Sequence, residues 1–203
     1  MDNDKLVHNV LHFWFGELSH PDLIPHDKAA MWFVNGKDYD ELISERFGHL
    51  HQQAVDGELD EWQHESKSLL ALIIILDQFS RHIYRETAQA FAQDAKCLAL
   101  VKSGIERGLD QPLYLIERKF FYMPLMHAED LKIQNQSVKM FTRLSDDAPA
   151  ELKEYYEKAL SFAMSHHYVI EKFGRFPELN SILGRTTSRE EAEFLATGKF
   201  QFL

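Results

Sequence analysis

Cysteine is nearly absent: Cys97 stands alone in 203 residues. No intramolecular disulfide can form, no thiolate zinc cage can be assembled from one chain, and this usage fits a reducing cytoplasm. Positive charge is also scarce. With 22 bases against 32 acids the formal net charge is −10, which argues against nucleic acid as a partner, since phosphate binding needs a positive field, and equally against anionic membranes. Long hydrophobic runs are missing: the longest, Leu69 to Leu76, falls far short of the roughly 20 residues of a membrane span. The first residues, MDNDKLVHNVLHFWFG, have no basic start, long apolar middle or small-residue cleavage site and are expected to form a first helix rather than a leader. Also lacking are a glycine-rich phosphate loop, a nucleophile elbow, an HExxH pair and a dinucleotide fingerprint, so the easily named enzyme classes drop out.

What is present is helical periodicity. Nearly every segment repeats its apolar residues at three and four, with no convincing strand alternation, so the expected class is all-α in a single domain over residues 1–203. Leu6, Val10 and Trp14 define the inner face of a first helix stopped by Gly16, and SHPDLIPHD reads as a proline-punctuated loop. Tyr39, Ile43, Phe47, Leu50 and Ala54 mark a second helix over about 38–55, ending before Gly57. The run from Leu69 is apolar on all sides, as a central, multiply covered helix requires. Thr87 is the expected N-cap of a helix striped by Phe91, Ala95, Leu98, Val101 and Ile105, with Cys97 beside the stripe as inert packing. Pro112 is a candidate opening of one helix, Pro124 is expected to break or kink the pattern, and another helix is expected from about His127 to Leu144. Leu152 to Phe173 keep three-four spacing, with His166 at a core position and Gly174 as stop. Ser188 and Glu191 form a capping box for a last short helix.

The apolar hub leads directly into charge. Asp77, Arg81 and Arg85 follow LLALIIIL at spacings of four, which on an α-helix makes one ladder with the acid leading its bases. A surface salt-bridge stripe explains such a ladder; a charged row continuing a buried row also lines cavities. His127, Glu129 and Asp130 lie just after Pro124, where acids suit a helix start and where a histidine beside two carboxylates is acid–base equipment. Glu61 and His64 form one ExxH, whereas a di-iron bundle needs two and further glutamates. Arg175, two turns beyond His166, either caps helix carbonyls or completes an anion-binding pair with Arg81 or Arg85.

The ordered segments VLHFWFG, LALIIILDQFSRHIYR, AFAQD, FFYMPLMHAEDL, Gln134, FGRFPELNSILGR and SREEAEFL resemble a bacterial family known as domain of unknown function family 924, over about Val10 to Phe200. That resemblance implies a tetratricopeptide-like antiparallel array of helices. The family pattern falls on Asp77, Gln78, Phe79, Arg81 and Arg85; on His127, Glu129 and Asp130; and on Phe173 to Pro177, Asn180, Leu183, Gly184 and Arg185. Ala128 stands where members often have serine, so a nucleophilic serine is not expected there. Glu178 and Leu179 replace a common His-Arg pair, exchanging cationic groups for an acid and an apolar residue.

Three functional expectations follow. The first is a binding module whose pocket, built from Asp77, Arg81, Arg85, Arg175, Asn180 and Arg185 with His127, holds a small anionic ligand or an acidic peptide end. The second is a hydrolase or lyase with His127 or His166 as general base and Glu129 or Asp130 orienting it or holding a divalent metal. The third is a lock of internal ion pairs in a module that binds a protein partner on its outer surface. These residues name neither a cofactor nor a metal.

Overall fold

The computed structural model describes residues 2–198, and among these no strand occurs. Two compact units divide the chain: one holds the residues up to Arg85 together with Gln89–Pro124, the other Glu86–Ala88 and the residues from Leu125 onward.

The first unit begins with α1 (Asn3–Phe15), capped by the Asp2 carboxylate and stopped at Gly16, whose φ of 70° releases the chain from the helix. Val10 and Trp14 are buried as their spacing predicts, with Phe13 and Phe15 alongside. Inside the expected proline-rich loop a helix begins: α2 (His26–Phe33) follows Pro25 directly. Proline ahead of a helix start is a signal that the loop reading passes over. Next come α3 (Asp40–Asp56), which buries Ile43, Phe47, Leu50 and Ala54, and α4 (Ser66–Ile73).

From α4 the chain widens into a π-helical turn over Ile74–Phe79 and closes with α5 (Ser80–Ile83). Every residue from Leu69 to Ser80 is buried, as expected of a hub. A π turn lengthens the backbone hydrogen bond by one residue and leaves a carbonyl to be met otherwise. Side chains bond carbonyls of this turn: Ser80 Oγ donates to the Leu76 carbonyl at 2.6 Å and Arg81 to the Asp77 carbonyl at 3.1 Å. Phe79 stacks on Phe47 at 4.8 Å and meets Trp14 edge-on at 5.7 Å, which ties the hub to α3 and α1.

The helix expected after Thr87 starts later. A 3₁₀ turn covers Ala88–Phe91, and α6 runs Asp94–Glu106 from an N-cap at Gln93. Its buried stripe is Cys97, Val101 and Gly104, so Cys97 lies on the inner face rather than beside it. Gly104 permits a close approach, since a Cβ there would stand 2.7 Å from both Leu69 and Phe121. The division between the units falls at Pro124, inside α7 (Leu115–Met126).

In the second unit α8 (Leu131–Asp147) and α9 (Lys153–Phe173) form an antiparallel pair. Lys153 Nζ reaches the Ser145 carbonyl at one end and His167 meets Asn135 toward the other. Gly174, with φ of 69°, ends α9 as expected. Val169, Ile170 and Phe176 form a small apolar cluster, joined by Phe173, Leu179 and Phe194. Last is α10 (Arg189–Leu195), with the expected Ser188–Glu191 capping box in place. No helix of the described residues is long and apolar enough to cross a membrane.

Candidate functional site

Asp77 and Arg81 stay together, but the ladder stops after one rung. The end of α5 at Ile83 takes Arg85 out of helical register with Arg81. Arg81 sets its fork on the Asp94 carboxylate at 2.9 and 3.1 Å and also lies 3.2 Å from Asp77. Burial alone would ease its proton off; the charges of Asp77 and Asp94 outweigh that and raise its pKa. Arg85 instead forks onto Asp40 at the start of α3, at 2.5 and 2.7 Å. His82 Nδ1–H donates to the same carboxylate at 2.7 Å. Desolvation pushes Asp40 upward, but the hydrogen bonds from Arg85 and His82 prevail and hold it below the usual range. Burial lowers the His82 pKa despite its acidic partner.

The second unit repeats this chemistry on a loop. Arg175 forks onto the buried Glu191 at 2.6 and 2.9 Å and donates to the Thr186 carbonyl at 2.9 Å. Arg175, helped by the Ser188 backbone, brings Glu191 down to about 2. Arg185 forks onto Glu129 at 2.6 and 3.0 Å, and its Nε donates to Asn180 Oδ1 at 3.0 Å. Glu129 also accepts the Phe176 backbone N–H at 2.7 Å. Asp130 is the N-cap of α8, accepting from Lys132 and Ile133 at 2.8 and 3.0 Å. That helix therefore starts at Leu131, four residues beyond the expected His127, because the capping carboxylate and not the preceding proline sets its first turn.

Gln134, fully buried, donates to the carbonyls of Met126 and Ala128 at 2.7 and 2.8 Å and so pins the backbone on either side of His127. His166 is buried on α9, with Nδ1–H donating to the Phe162 carbonyl at 2.8 Å. Burial is the main cause that takes its pKa down to about 3, and the nearby His127 adds to it. Asp77, Arg81 and Arg85 belong to the first unit; His127, Glu129, Asp130, His166, Arg175, Asn180 and Arg185 belong to the second.

A separate concavity lies in the first unit, where α1 faces the turn before α4. This cleft of about 630 Å³ has His8, His12 and Glu17 on one side and Glu61, His64 and Glu65 on the other. Lys67 at its edge pairs with the buried Glu117 at 2.5 Å. None of the expected site residues lines it. Glu61 and His64 had a visible motif, and His8 and His12 sit four apart on a helix, a spacing that puts both on one face. Asp94 closes the segment AFAQD, but no spacing links Asp40 or Asp94 to its arginine, 45 and 13 residues away.

A family model described as "Bacterial protein of unknown function (DUF924)" matches residues 10–199. The chain belongs to this bacterial family. A solved structure titled as a protein of unknown function, ATU0120, from Agrobacterium tumefaciens is 33% identical to this DUF924 chain, covers 97% of it and 100% of its own length, and has a TM-score of 0.81. The all-helical class expected from periodicity and from the family resemblance is thereby borne out. No curated protein matches the chain.

Proposed function

We propose that this DUF924 member is a non-catalytic helical binding module in which the arginine motifs form an internal ion-pair frame and the cleft along α1 receives the ligand. One observation carries the reading: Arg81, Arg85, Arg175 and Arg185 each set a fork on a carboxylate of their own unit. An incoming anion would have to displace these carboxylates and leave them unpaired, which costs more than filling a vacant guanidinium site. The cleft has the opposite character. Asp4, Glu17, Glu61 and Glu65 line it against Lys67, so it favours a cation or a neutral polar molecule. A lone buried cysteine keeps the reducing cytoplasm as the compartment that fits best.

The test is a thermal-shift screen of the full chain with two panels, diamines and guanidines in one, phosphates and dicarboxylates in the other. The expected result is stabilisation by the first panel, with Arg81→Lys and Arg175→Lys lowering the melting temperature but leaving the ligand response intact. Stabilisation by an anion that either lysine variant abolishes would return the arginines to ligand handling.

The hydrolase or lyase reading has one observation in its favour: Gln134 pins the backbone on both sides of His127, as a positioned acid–base group requires. Glu129 and Asp130, by contrast, are engaged as ion pair and helix cap, and His166 is held neutral. Turnover in a hydrolase panel that His127→Ala removes while leaving the melting temperature unchanged would establish this reading over the first.

A further inference from the structure

At the mouth of the cleft, His8 and His12 stand one turn apart on α1, their rings stacked with centroids 5.6 Å apart and planes inclined by 18°. Glu17 comes to the same place because Gly16 turns the chain as α1 ends: the Gly16 N–H closes on the His12 carbonyl at 2.8 Å, and the next residue folds back beside the helix. His12 Nδ1 and Glu17 Oε1 are 3.0 Å apart. One ligand atom from each of the three side chains lies within 4.8 Å of the others. Two donors on a tetrahedral ion with bonds of about 2.0–2.1 Å are separated by about 3.3 Å. The His12–Glu17 spacing is already near that value, and His8, exposed on the same helix, closes the remaining distance by side-chain rotation.

We propose that His8, His12 and Glu17 form a binding site for a divalent transition-metal ion, zinc or one of its late first-row neighbours, at the mouth of this cleft. The ion sits between His12 Nδ1 and Glu17 Oε1 in place of their direct contact. Two imidazoles with one carboxylate are the donors of such ions, whereas magnesium and calcium call for oxygen alone. Three protein ligands leave a coordination position open toward the cleft. Glu61 and His64 line that cleft and supply a further carboxylate and imidazole across it, and Glu61 Oε2 lies 3.8 Å from His64 Nε2. The ExxH motif thus finds a use unrelated to a di-iron bundle. This inference rests on the cleft being a ligand site and adds what that ligand is.

The experiment is calorimetric titration of tag-free full-length protein with zinc alone, followed by cobalt(II) absorption spectra. Wild type is expected to bind one zinc, and cobalt to give the intense visible bands of a four-coordinate nitrogen–oxygen site. His8→Ala and His12→Ala are expected to weaken zinc by about 100-fold, at or above the top of the 10–100-fold range typical of losing a mere supporting group. His49→Ala, an exposed histidine on α3, is expected to bind as wild type does. Both site histidines are exposed, so the variants keep the wild-type melting temperature. No zinc binding, or zinc binding that His8→Ala and His12→Ala leave unchanged, overturns the inference. In either case the organic-cation screen still tests the cleft by itself, so failure of the metal site is distinguishable from failure of the cleft as a ligand site.

Discussion

The two units use one device for different ends. In the first, the Arg81 and Arg85 forks sit where an entirely buried helix ends, and they fasten that end to Asp94 on α6 and Asp40 on α3. A large aromatic and aliphatic core already holds those helices, with Trp14, Phe47 and Phe79 in ring contact. In the second unit the forks of Arg175 and Arg185 span a loop whose apolar support is a cluster of three buried residues and their half-buried neighbours. The difference teaches that an arginine–carboxylate fork adds direction to a core that exists and substitutes for one that is small. Breaking a fork should therefore lower global stability in the first unit and release a segment in the second.

The largest effect is expected from a charge that the first unit's core tolerates poorly. Lys119 is 8% exposed, its ammonium 4.4 Å from the Phe33 ring, and desolvation brings its pKa from 10.5 down to about 7. Between those values the unfolded chain holds a proton that the folded one has lost, so stability rises with pH, at up to about 1.4 kcal/mol per unit. Urea denaturation from pH 7 to 10 should record this slope, and Lys119→Met should flatten it by raising stability at the lower end. Next comes Asp40→Ala, which strips Arg85 and His82 of their shared acceptor. A loss of about 2–3 kcal/mol, toward the upper end of the range for hydrogen bonds to charged groups, should appear in the global urea transition.

Gly104→Ala should cost about 1–3 kcal/mol by overpacking, because Leu69 and Phe121, at 2.7 Å from the new methyl, are fully buried and have nowhere to retreat. A wild-type midpoint would show that α6 moves more easily than this close approach suggests. The smallest global effect belongs to Glu191→Gln, where the readout is local. With its pKa depressed from 4.5 to about 2, Glu191 contributes fully above pH 4.5 and loses its contribution as the pH falls through 2. Limited proteolysis should cut the segment after Gly174 in wild type only toward the acid end of that window, and in Glu191→Gln already at neutral pH. Equal protection of both proteins at pH 7 would mean that the apolar cluster alone holds the loop.

How much of the molecule is legible in its sequence follows the range of the interactions. Helix stops at Gly16 and Gly174, the Ser188–Glu191 capping box, the buried hub and the core position of His166 are local or periodic features, and each can be read from a few adjacent letters. The start of α6 escapes such a reading because Thr87 satisfies a capping rule in a stretch where a 3₁₀ turn intervenes. The arginines expected in one site each make a strong polar contact, yet their partners Asp40 and Asp94 lie in the first turns of helices, where an acid needs no further explanation. Pairing across such distances is decided by packing, which composition and spacing do not encode. The histidine pair at 8 and 12 is legible by spacing, and only the fold adds Glu17 and the cleft.

The π turn at Ile74–Phe79 has a consequence for length rather than for composition. A helix that carries one surplus residue works as an angular offset, and removing one residue from this turn would restore an ordinary α-helix. Everything after it would then rotate by about 100°, the step of a single residue. Arg81 and His82 would each point to where a neighbour had pointed before, with no change in hydrophobicity or charge pattern. A one-residue deletion here is thus a change of phase, and sequences that align across this turn without a gap share the same angular setting of their arginines.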